Sequence, residues 1–519
     1  MTVTPKRVAV YNRFWHSQGG GERHSGMVAQ VLSEDGAQVD LIGHTPTDLD
    51  ELADHLGLDL SRCSMRVVPD RGYGLLADVS ADYDLLVNGS YMNRLPPLSK
   101  KAAYLCYFPT PFDHDMEPWR KTVTRLVGPY VRAMGENLDY GLGWFPPEGG
   151  RRRQWIWSSG DAVITFPGTR SRRIRLDLGR PGASAPTTLT VKAHSGETLA
   201  EVTVTEEFVT HHLDLGEPDD TGTVRFVSDT FSPGGTDQRQ LGVAVSRPRL
   251  EGASFGPRER LAGRFPWLLR DPKDLDFLDS YDVIMANSVY TQRWITKLWS
   301  RPSDPLFPPI QVDRMHPEPI RTKTILTVGR FFAPGLGHAK RQLEMVEFFG
   351  DIVRSGRLPG WTLQVVGGCE PSQEPYLAQV RAAAAGLPVQ IHPNAPRALV
   401  EDLMSTASIV WSATGYGEDP EARPWTMEHF GMTTVEAMAG GCVPVVIALA
   451  GQKEIVTPGT DGYLWSSPAE LAEHTVAVAQ DEAMRARMSE AAIKRAQDFS
   501  EAAFAEQLRA IVARHSLLG

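Results

Sequence analysis

The sequence predicts two doubly wound α/β domains with an all-β sandwich inserted into the first of them. Three observations carry this prediction. Short apolar runs alternate with helical patterns at both ends of the chain, which is typical of parallel sheets covered by helices. Residues 145–250 instead show short alternating runs separated by turn residues, the pattern of an antiparallel sandwich. A proline-rich stretch, RPSDPLFPPIQVD, separates the two α/β series and suits a linker.

Composition and charge place the chain among soluble globular proteins. Its 519 residues are too many for one core, so two or three domains are expected. The net charge of −10 argues against a nucleic-acid-binding protein. Four dispersed cysteines without a C-x-x-C pair indicate neither a zinc site nor a disulfide framework, and they favour a reducing, cytoplasmic setting. The N-terminus lacks the apolar region of a signal peptide, and no apolar run approaches the ~20 residues of a membrane span.

The first α/β domain begins with an apolar strand, RVAVYN, at residues 7–12. The loop RFWHSQGGGE follows, and then a helical pattern that ends at Gly36, a suitable C-cap. Further strands are predicted at AQVDLIG, YDLLVNGS and AAYLCYFP, and the series resumes with YDVIMANSVYTQRWITKLW. We therefore assign residues 1–144 and 251–312 to this domain.

The second α/β domain is predicted over residues 313–498. Its strands are KTILTVGRFF, WTLQVVGG, PVQIHPN, ASIVWSAT and GCVPVVI, with helices between them. The amphipathic tail, residues 499–519, is expected to be a helix that crosses back to the first domain. Ligands of open α/β sheets bind at the carboxyl ends of the strands. Two such domains facing each other predict a cleft that holds the chemistry.

The inserted sandwich, residues 145–250, has two interpretations. It is either a structural element or a module that binds carbohydrate or a partner protein. Trp144, Trp155 and Trp157 could stack on sugars, but they could equally belong to the core. The sequence leaves both interpretations open, because fold analogy alone is weak evidence of function.

The segment EHFGMTTVEAMAGG contains two glutamates, Glu428 and Glu436. On one continuous helix they would lie ~12 Å apart along the axis and would not face one group. The sequence instead favours a helix with Thr433 as N-cap and Glu436 at N3 of a T-x-x-E capping box. The free backbone N–H groups of Met432 to Thr434 would then attract a phosphate. This arrangement predicts a phosphate site flanked by two carboxylates, as a nucleoside diphosphate sugar requires.

The same segment resembles the E-x7-E motif of retaining GT-B glycosyltransferases of family 4. Three other segments resemble this family in the expected order: YDVIMANSVYTQRWI, ILTVGRFFAPGLGHAKRQLEMVEFF and LAGQKEIVTPGTDGYLW. The resemblance covers both α/β domains and leaves out the β insertion. It implies the GT-B fold, with two Rossmann-like domains facing a cleft. It also implies a retaining, metal-independent transfer of a sugar from a nucleoside diphosphate sugar to a hydroxyl acceptor.

The resemblance further implies the roles of individual residues. Glu436 would bind the ribose hydroxyls, and Glu428 would face the donor sugar. Backbone N–H groups at the helix start would contact the sugar and the distal phosphate: Phe430, Gly431, Met432, Thr433 and Thr434. Arg330 and Lys340, which follow Gly329 at a strand end, would clamp the diphosphate where charge develops. Taken alone, each cation would be ordinary surface charge, and it is the motif that favours a functional interpretation.

A glycine-rich loop in the N-terminal domain completes the expected donor site. Gly19, Gly20 and Gly21 lie between a strand and a helix, so the backbone can approach a ligand closely. Their spacing does not fit the dinucleotide pattern G-x-G-x-x-G. In the family resemblance, this loop faces the donor phosphate and the acceptor.

The stretch YLCYFPTPFDHDMEPW departs from the family pattern. The family has a histidine directly before the aromatic-proline step, and here that place holds Tyr107. His114 is the nearest histidine, and it either makes the sugar contact or is an ordinary surface residue. Asp113 and Asp115 form a D-x-D pair, which could hold a metal. We predict no required metal, because the helix dipole and the two cations would serve in its place.

The predicted partners are a nucleotide-sugar donor and a hydroxyl acceptor, such as a glycan, a lipid-linked saccharide or a small molecule. No cofactor and no nucleic acid are expected. A non-catalytic sugar- or nucleotide-sugar-binding protein on the same scaffold is the alternative. Residues 256–273 mix arginines with apolar residues. This composition favours an ordinary supporting helix. The alternative is that these residues make peripheral contact with the inner face of an anionic membrane.

Overall fold

Two parallel sheets with helices and two antiparallel sheets make up the fold. The structure is a computed structural model. It describes residues 5–17, 19–68, 73–111, 116–132, 139–140, 143–145, 148–149, 154–165, 173–193, 196–215, 223–233, 239–251, 261, 264–269, 275–334 and 338–519.

The N-terminal domain begins with an alternation of strands and helices. Its first strands are β1 (Arg7–Tyr11), β2 (Gln38–Gly43), β3 (Cys63–Val67), β4 (Leu85–Asn88) and β5 (Lys101–Cys106). Its first helices are α1 (Gly20–Glu34), α2 (Leu49–Leu56), α3 (Tyr73–Ser80) and α4 (Pro118–Arg132). Val8, Ala9 and Val10 of β1 are fully buried, because a central parallel strand is covered on both faces.

The described residues next form ten short strands, all in antiparallel sheets. They are β6 (Asp139–Tyr140), β7 (Glu148–Gly149), β8 (Gln154–Trp157), β9 (Asp161–Thr165), β10 (Arg173–Gly179), β11 (Thr187–Ala193), β12 (Thr198–Val204), β13 (Val209–Asp214), β14 (Thr223–Val227) and β15 (Ala244–Glu251). The two five-stranded sheets have the orders β13-β10-β15-β8-β7 and β12-β11-β14-β9-β6. Ile174 and Leu176 of one sheet share a hydrophobic cluster with Leu189, Val191 and Phe226 of the other. This shared cluster is what two sheets packed face to face produce.

The three tryptophans considered as sugar platforms pack against other aromatic rings in this part of the chain. Trp157 is only 4% exposed. Trp144 lies edge-on to Phe226, with ring centroids 5.9 Å apart, and Trp155 packs against Phe208 at 5.7 Å. These contacts favour the core interpretation of the tryptophans.

The chain then returns to the N-terminal sheet through β16 (Val283–Ala286), α5 (Val289–Trp299) and β17 (Asp304–Pro305). The completed sheet has seven parallel strands in the order β17-β16-β5-β4-β1-β2-β3. The side chain of Ser288 caps α5 by accepting a hydrogen bond from the backbone N–H of Thr291 at 3.0 Å.

The C-terminal domain is built on a second parallel sheet. Its strands are β18 (Thr322–Val328), β19 (Thr362–Gly367), β20 (Val389–Pro393), β21 (Ala407–Ser412), β22 (Val443–Ile447) and β23 (Tyr463–Trp465), in the order β20-β19-β18-β21-β22-β23. Its helices are α6 (Gln342–Arg354), α7 (Glu374–Ala384), α8 (Arg397–Thr406), α9 (Met432–Ala439), α10 (Gln452–Ile455), α11 (Pro468–Gln480) and α12 (Glu482–Ala496). The two parallel sheets confirm the two predicted α/β domains.

The last helix, α13 (Glu501–Arg514), packs on the N-terminal domain. Its residues Phe504, Leu508 and Ile511 join the buried cluster that contains Val8 and Val28. The chain therefore crosses between the domains a second time. Within the described residues, no helix is both long and apolar enough to cross a membrane.

Candidate active site

A cavity of about 240 Å³ lies between the two α/β domains. One wall comes from the N-terminal domain and contains Gly20, Gly21 and His24 of α1 and Tyr107 after β5. The other wall comes from the C-terminal domain and contains Arg330, Phe332, His338, Lys340, Glu428, His429, Phe430, Gly431 and Met432. The structure thus brings Gly20 and Gly21, the two cations and the loop before α9 into one site, although the two glycines belong to the first turn of α1 and not to a loop.

Helix α9 begins at Met432, and Gly431 is its N-cap. The predicted capping box is therefore wrong, because Thr433 lies inside the first turn and Glu436 is the fifth helical residue. Gly431 has φ of 119°, a backbone conformation that residues other than glycine rarely adopt. No side chain of the described residues caps the helix. The first N–H groups of α9 are therefore uncapped by side chains at the cavity edge, where the helix dipole favours an anion.

A second helix N-terminus reaches the same cavity from the N-terminal domain. Gly20 and Gly21 form the first turn of α1, and a Cβ added to Gly20 would lie 3.1 Å from the Met432 sulfur. Gly19 is different, because its N–H donates to Glu22 Oε2 at 2.8 Å and is not free for a ligand. Glycine at position 20 therefore allows the start of α1 to approach Met432 at the start of α9 closely.

Glu428 is paired within the protein. Its carboxylate forms an ion pair with Lys340, and the Thr414 hydroxyl donates to Glu428 Oε2 at 3.2 Å. Burial raises the pKa of this carboxyl, but Lys340, His338 and Thr414 more than offset it, so the pKa lies below its usual value. Glu428 is therefore ionised at neutral pH. A Cβ on Gly329 would lie 2.6 Å from Lys340 Cγ, so glycine makes room for this lysine.

Glu436 has the opposite environment. It is half-buried in α9, and its carboxylate accepts no hydrogen bond from the residues that the structure describes. Burial raises its pKa to about 7, which the positive charges of Arg23 and Arg397 only partly counteract. Glu436 does not line the 240 Å³ cavity, because it lies further along α9. It is a carboxylate with positive charge nearby and no direct partner.

Three of the remaining predicted residues lie on the Glu428 side of the site. Arg330 is exposed, with its guanidinium 4.8 Å from the centre of the Phe332 ring. Thr433 and Thr434 line a small recess next to the Lys340–Glu428 ion pair. His114, Asp113 and Asp115 lie outside the described residues, so their predicted roles have no structural test.

Tyr107, at the place where the resemblance led us to expect a histidine, holds the start of α1. Its hydroxyl donates to the Gly21 carbonyl at 2.6 Å and lies 3.2 Å from Ser25 Oγ. Burial raises the pKa of the Tyr107 hydroxyl well above its usual range, so it stays protonated. Tyr107 therefore supports the glycine turn, and its ring lines the cavity.

Sequence reasoning missed two histidines in the C-terminal wall. His338 Nδ1 lies 2.9 Å from the Met427 carbonyl, so Nδ1 carries the proton and Nε2 is an acceptor. The His338 ring meets His429 edge-on at 4.6 Å. His429 stacks on Phe108 of the N-terminal domain at 4.1 Å with an interplanar angle of 12°. Their signal was their position: each lies within two residues of Lys340 or Glu428.

His24 is a third histidine that sequence reasoning missed. It is fully buried at the cavity wall, and neither ring nitrogen has a hydrogen-bond partner among the described residues. Burial, helped by the charge of Arg23, lowers its pKa to about 3, so the ring is neutral. Among all the described residues, no group of three or more His, Cys, Asp or Glu side chains could hold a metal ion.

Comparisons with known proteins bear on the fold and on the C-terminal domain. Residues 313–495 match the family model described as glycosyl transferases group 1. The crystal structure of Anabaena HepE in complex with UDP and glucose aligns with a TM-score of 0.51 and 12% identity, covering 98% of this chain and 100% of that one. A glycosyltransferase from Rickettsia africae aligns with a TM-score of 0.50 and 10% identity, covering 99% of each chain. None of the curated proteins compared matches the chain.

The fold and the matched domain define the class of this protein. The chain has the GT-B fold, with two Rossmann-like domains facing a cleft. Its C-terminal domain matches the model for glycosyl transferases group 1 over residues 313–495. Together they support a glycosyltransferase.

Proposed function

We propose that this protein is a retaining, family 4 glycosyltransferase that works in the cytoplasm without a metal or other cofactor. It would move a sugar from a nucleoside diphosphate sugar to a hydroxyl acceptor, such as a glycan or a lipid-linked saccharide. One observation carries the proposal: the Lys340–Glu428 pair lines a cavity at which the N-termini of α1 and α9 meet. Such a cavity offers cations and helix dipoles to a diphosphate and a carboxylate to a sugar.

The diphosphate is proposed to bind between the two helix starts, beside Arg330 and Lys340. Negative charge grows on the leaving diphosphate as the glycosidic bond breaks. Cations and N–H groups already in place stabilise that charge without reorganising. Lys340 would then contact both the diphosphate and Glu428, which it already contacts without a ligand.

The sugar and the ribose are proposed to bind at the two glutamates. The hydrogen bonds of Glu428 to Lys340 and Thr414 both reach Oε2, which leaves Oε1 for a sugar hydroxyl. His338 Nε2 is a second acceptor in the same wall, and unlike the Glu428 carboxylate it is uncharged. Glu436, without a direct partner, would accept hydrogen bonds from the two ribose hydroxyls.

The proposed reaction proceeds through an oxocarbenium-like transition state. The acceptor oxygen attacks the anomeric carbon from the face that the diphosphate leaves, and its proton passes to a phosphate oxygen. The new C–O bond forms as the bond to the diphosphate breaks, so the configuration is retained. Glu428, already paired with Lys340, would stabilise the cationic sugar electrostatically.

Ligand-induced stabilisation gives the first test, because a ligand that binds only the folded state raises Tm. UDP, GDP, ADP and their glucose or mannose conjugates are compared. UDP-glucose comes first because HepE, which shares the fold, was crystallised with it. The donor that raises Tm is then incubated with saccharide acceptors. Release of nucleoside diphosphate and a product of retained configuration are expected. A donor that binds but is never cleaved would favour the non-catalytic alternative, and an inverted product would contradict retention.

A further inference from the structure

Glu454 joins the two α/β domains through the start of a helix. It lies in α10 of the C-terminal domain, whereas α5 of the N-terminal domain begins at Val289. The Glu454 carboxylate accepts hydrogen bonds from the backbone N–H groups of Val289 at 2.8 Å and Tyr290 at 2.5 Å. A carboxylate at a helix start is stabilised by free N–H donors and by the helix dipole. Hydrogen bonds to an ionised acceptor are also about twice as strong as neutral ones.

Helix α5 does not need Glu454 in order to form. The helix has a cap from its own domain, because Ser288 Oγ accepts a hydrogen bond from the Thr291 N–H at 3.0 Å. Val289 is 47% exposed, so water can reach the first turn and satisfy the same N–H groups in the absence of Glu454. The contact therefore serves the meeting of the two domains more than the folding of either one.

The other end of α10 holds the Glu428 loop, residues 428–431. Gly451, the N-cap of α10, donates its N–H to the Glu428 carbonyl at 3.0 Å. A Cβ on Gly451 would lie 2.4 Å from Phe430 Cα, so the two backbone segments are in direct contact. Arg495 donates to the Glu454 carbonyl at 2.6 Å and fixes α10 to its own domain. The Glu428 loop and α10 thus form one unit, and Glu454 docks this unit on α5.

The N-terminal domain also contacts the Glu428 loop directly, beside Glu454. The Tyr290 hydroxyl donates to the Pro424 carbonyl at 3.1 Å. The Tyr290 ring lies nearly parallel to that of His429, with an interplanar angle of 20° and centroids 6.3 Å apart. His429 stacks on Phe108 on the same side. These aromatic contacts need the spacing of the two domains that the Glu454 hydrogen bonds set.

A second carboxylate at this interface is more exposed. Arg293 and Lys297 of α5 contact Glu421 at 3.1 Å and 2.5 Å. The Glu421 side chain is 56% exposed, and exposed ion pairs contribute little because water and salt screen them. Glu454 is half-buried and bound to two backbone groups, so it is the stronger link.

We propose that Glu454 is a positioning residue, which ties the Glu428 loop to the N-terminal domain and keeps the two walls of the cavity together. It does not line the cavity, and it acts through α10 and α5 without touching a substrate. The cavity takes its lining from both domains, so their separation would remove Lys340 and Glu428 from the start of α1. The expected effect on turnover rests on the proposed transferase function, whereas the expected effect on the domain arrangement needs no substrate.

Three variants separate this role from that of an ordinary helix cap. Glu454→Ala removes both acceptor oxygens, and Glu454→Gln keeps one neutral oxygen at the same place. Asp48→Ala is the matched control, because Asp48 Oδ1 accepts hydrogen bonds from the N–H groups of Asp50 and Glu51 at 2.9 Å and 3.1 Å. That cap lies at the start of α2, within one domain. Glu454→Ala and Asp48→Ala should lower Tm by similar amounts, about 3 °C or less.

Small-angle X-ray scattering of the full chain without ligand measures the domain arrangement. The wild type and Asp48→Ala should have the same radius of gyration. Glu454→Ala should have a larger one, and Glu454→Gln should lie between the wild type and Glu454→Ala. An unchanged radius in Glu454→Ala, or an equal increase in Asp48→Ala, would overturn the proposal.

Kinetics with UDP-glucose and a saccharide acceptor measure the consequence for the reaction. Glu454→Ala should lower kcat/KM about tenfold and Glu454→Gln about threefold, because fewer molecules hold the two walls together. Asp48→Ala should keep the wild-type value. UMP should bind the wild type and Glu454→Ala equally, since its ribose is proposed to bind at Glu436 within the C-terminal domain.

Three outcomes of these kinetics are decisive. Wild-type kcat/KM in Glu454→Ala, or an equal loss in Asp48→Ala, would overturn the positioning role. Weaker UMP binding in Glu454→Ala would overturn it as well, because the damage would then lie inside the C-terminal domain. A wild type without any transferase activity would contradict the proposed function instead, and the scattering comparison would still decide whether Glu454 holds the domains together.

Discussion

The two glutamates of the E-x7-E segment are eight residues apart, yet their surroundings shift their pKa values in opposite directions. Glu428 has Lys340 and Thr414 as partners, and its pKa is held below its usual value. Glu436 has no hydrogen-bond partner among the described residues, and burial raises its pKa to about 7. The negative charge of Glu428 is balanced by an ion pair with Lys340, whereas the Glu436 carboxylate has no such contact among the described residues. The difference suggests that a ligand supplies the missing partner at Glu436.

Removing the partner of Glu428 should have the largest effect. Lys340→Ala takes away the cation expected at the diphosphate and leaves Glu428 without its ion pair. We expect kcat with UDP-glucose to fall by a factor on the order of 10²–10³, as when a preplaced charge-stabilising donor is lost. The matched control is Lys323→Ala, which removes an exposed lysine of β18. Wild-type turnover in the Lys340 variant would show that the Glu428 region is not the reaction centre.

Glu436→Gln should reveal the cost of the uncompensated carboxylate. The folded pKa is about 7 and the ordinary value is 4.5, so the native state holds the proton more strongly than the unfolded chain does. The wild type therefore loses stability as pH rises from about 4.5 to about 7. Glutamine cannot lose a proton, so the variant should gain on the order of 2 kcal/mol over the wild type at pH 8, and little at pH 4.

The same substitution should weaken donor binding about tenfold. An ionised carboxylate accepts hydrogen bonds from both ribose hydroxyls, and such charged hydrogen bonds are about twice as strong as neutral ones. Wild-type affinity for UDP should therefore rise as the pH passes through about 7 and level off above it, and the variant should lose this step. Calorimetric titration with UDP between pH 6 and pH 8 measures both effects. Unchanged affinity in the variant would place the ribose elsewhere.

His338→Phe should have a smaller effect at the sugar end. Phenylalanine keeps a ring against His429 but removes the Nε2 acceptor and the Nδ1–H bond to the Met427 carbonyl. One lost hydrogen bond, on the order of 1 kcal/mol, corresponds to about a fivefold lower kcat/KM for UDP-glucose. His474→Phe, in α11 and stacked on Tyr463, is the control. If UDP alone lost as much affinity as UDP-glucose, His338 would contact the nucleotide and not the sugar.

Sequence patterns predicted these sites to different extents. The apolar runs predicted both parallel sheets, because central parallel strands are buried on both faces. The motifs predicted that Arg330, Lys340 and Glu428 belong to one site, and in the structure all three line one cavity. The start of α9 was missed because threonine is a common N-cap, so the local sequence favoured Thr433. The N-cap is instead Gly431, where the preceding loop requires a positive φ.

The smallest expected effect tests whether an exposed charge, that of Arg397, changes the pKa of Glu436. Arg397 is exposed, pairs with Glu401 at 2.8 Å, and its charge lowers the pKa of Glu436. Arg397→Gln should therefore raise that pKa and move the pH dependence of UDP binding to higher pH. Water screens an exposed charge, so the shift should be about a few tenths of a pH unit, and salt should diminish it. Arg381→Gln, on α7, is the control and should leave the UDP titration unchanged. A shift to lower pH would mean that the titrating group is not Glu436, because removing a positive charge can only make a nearby carboxylate harder to ionise.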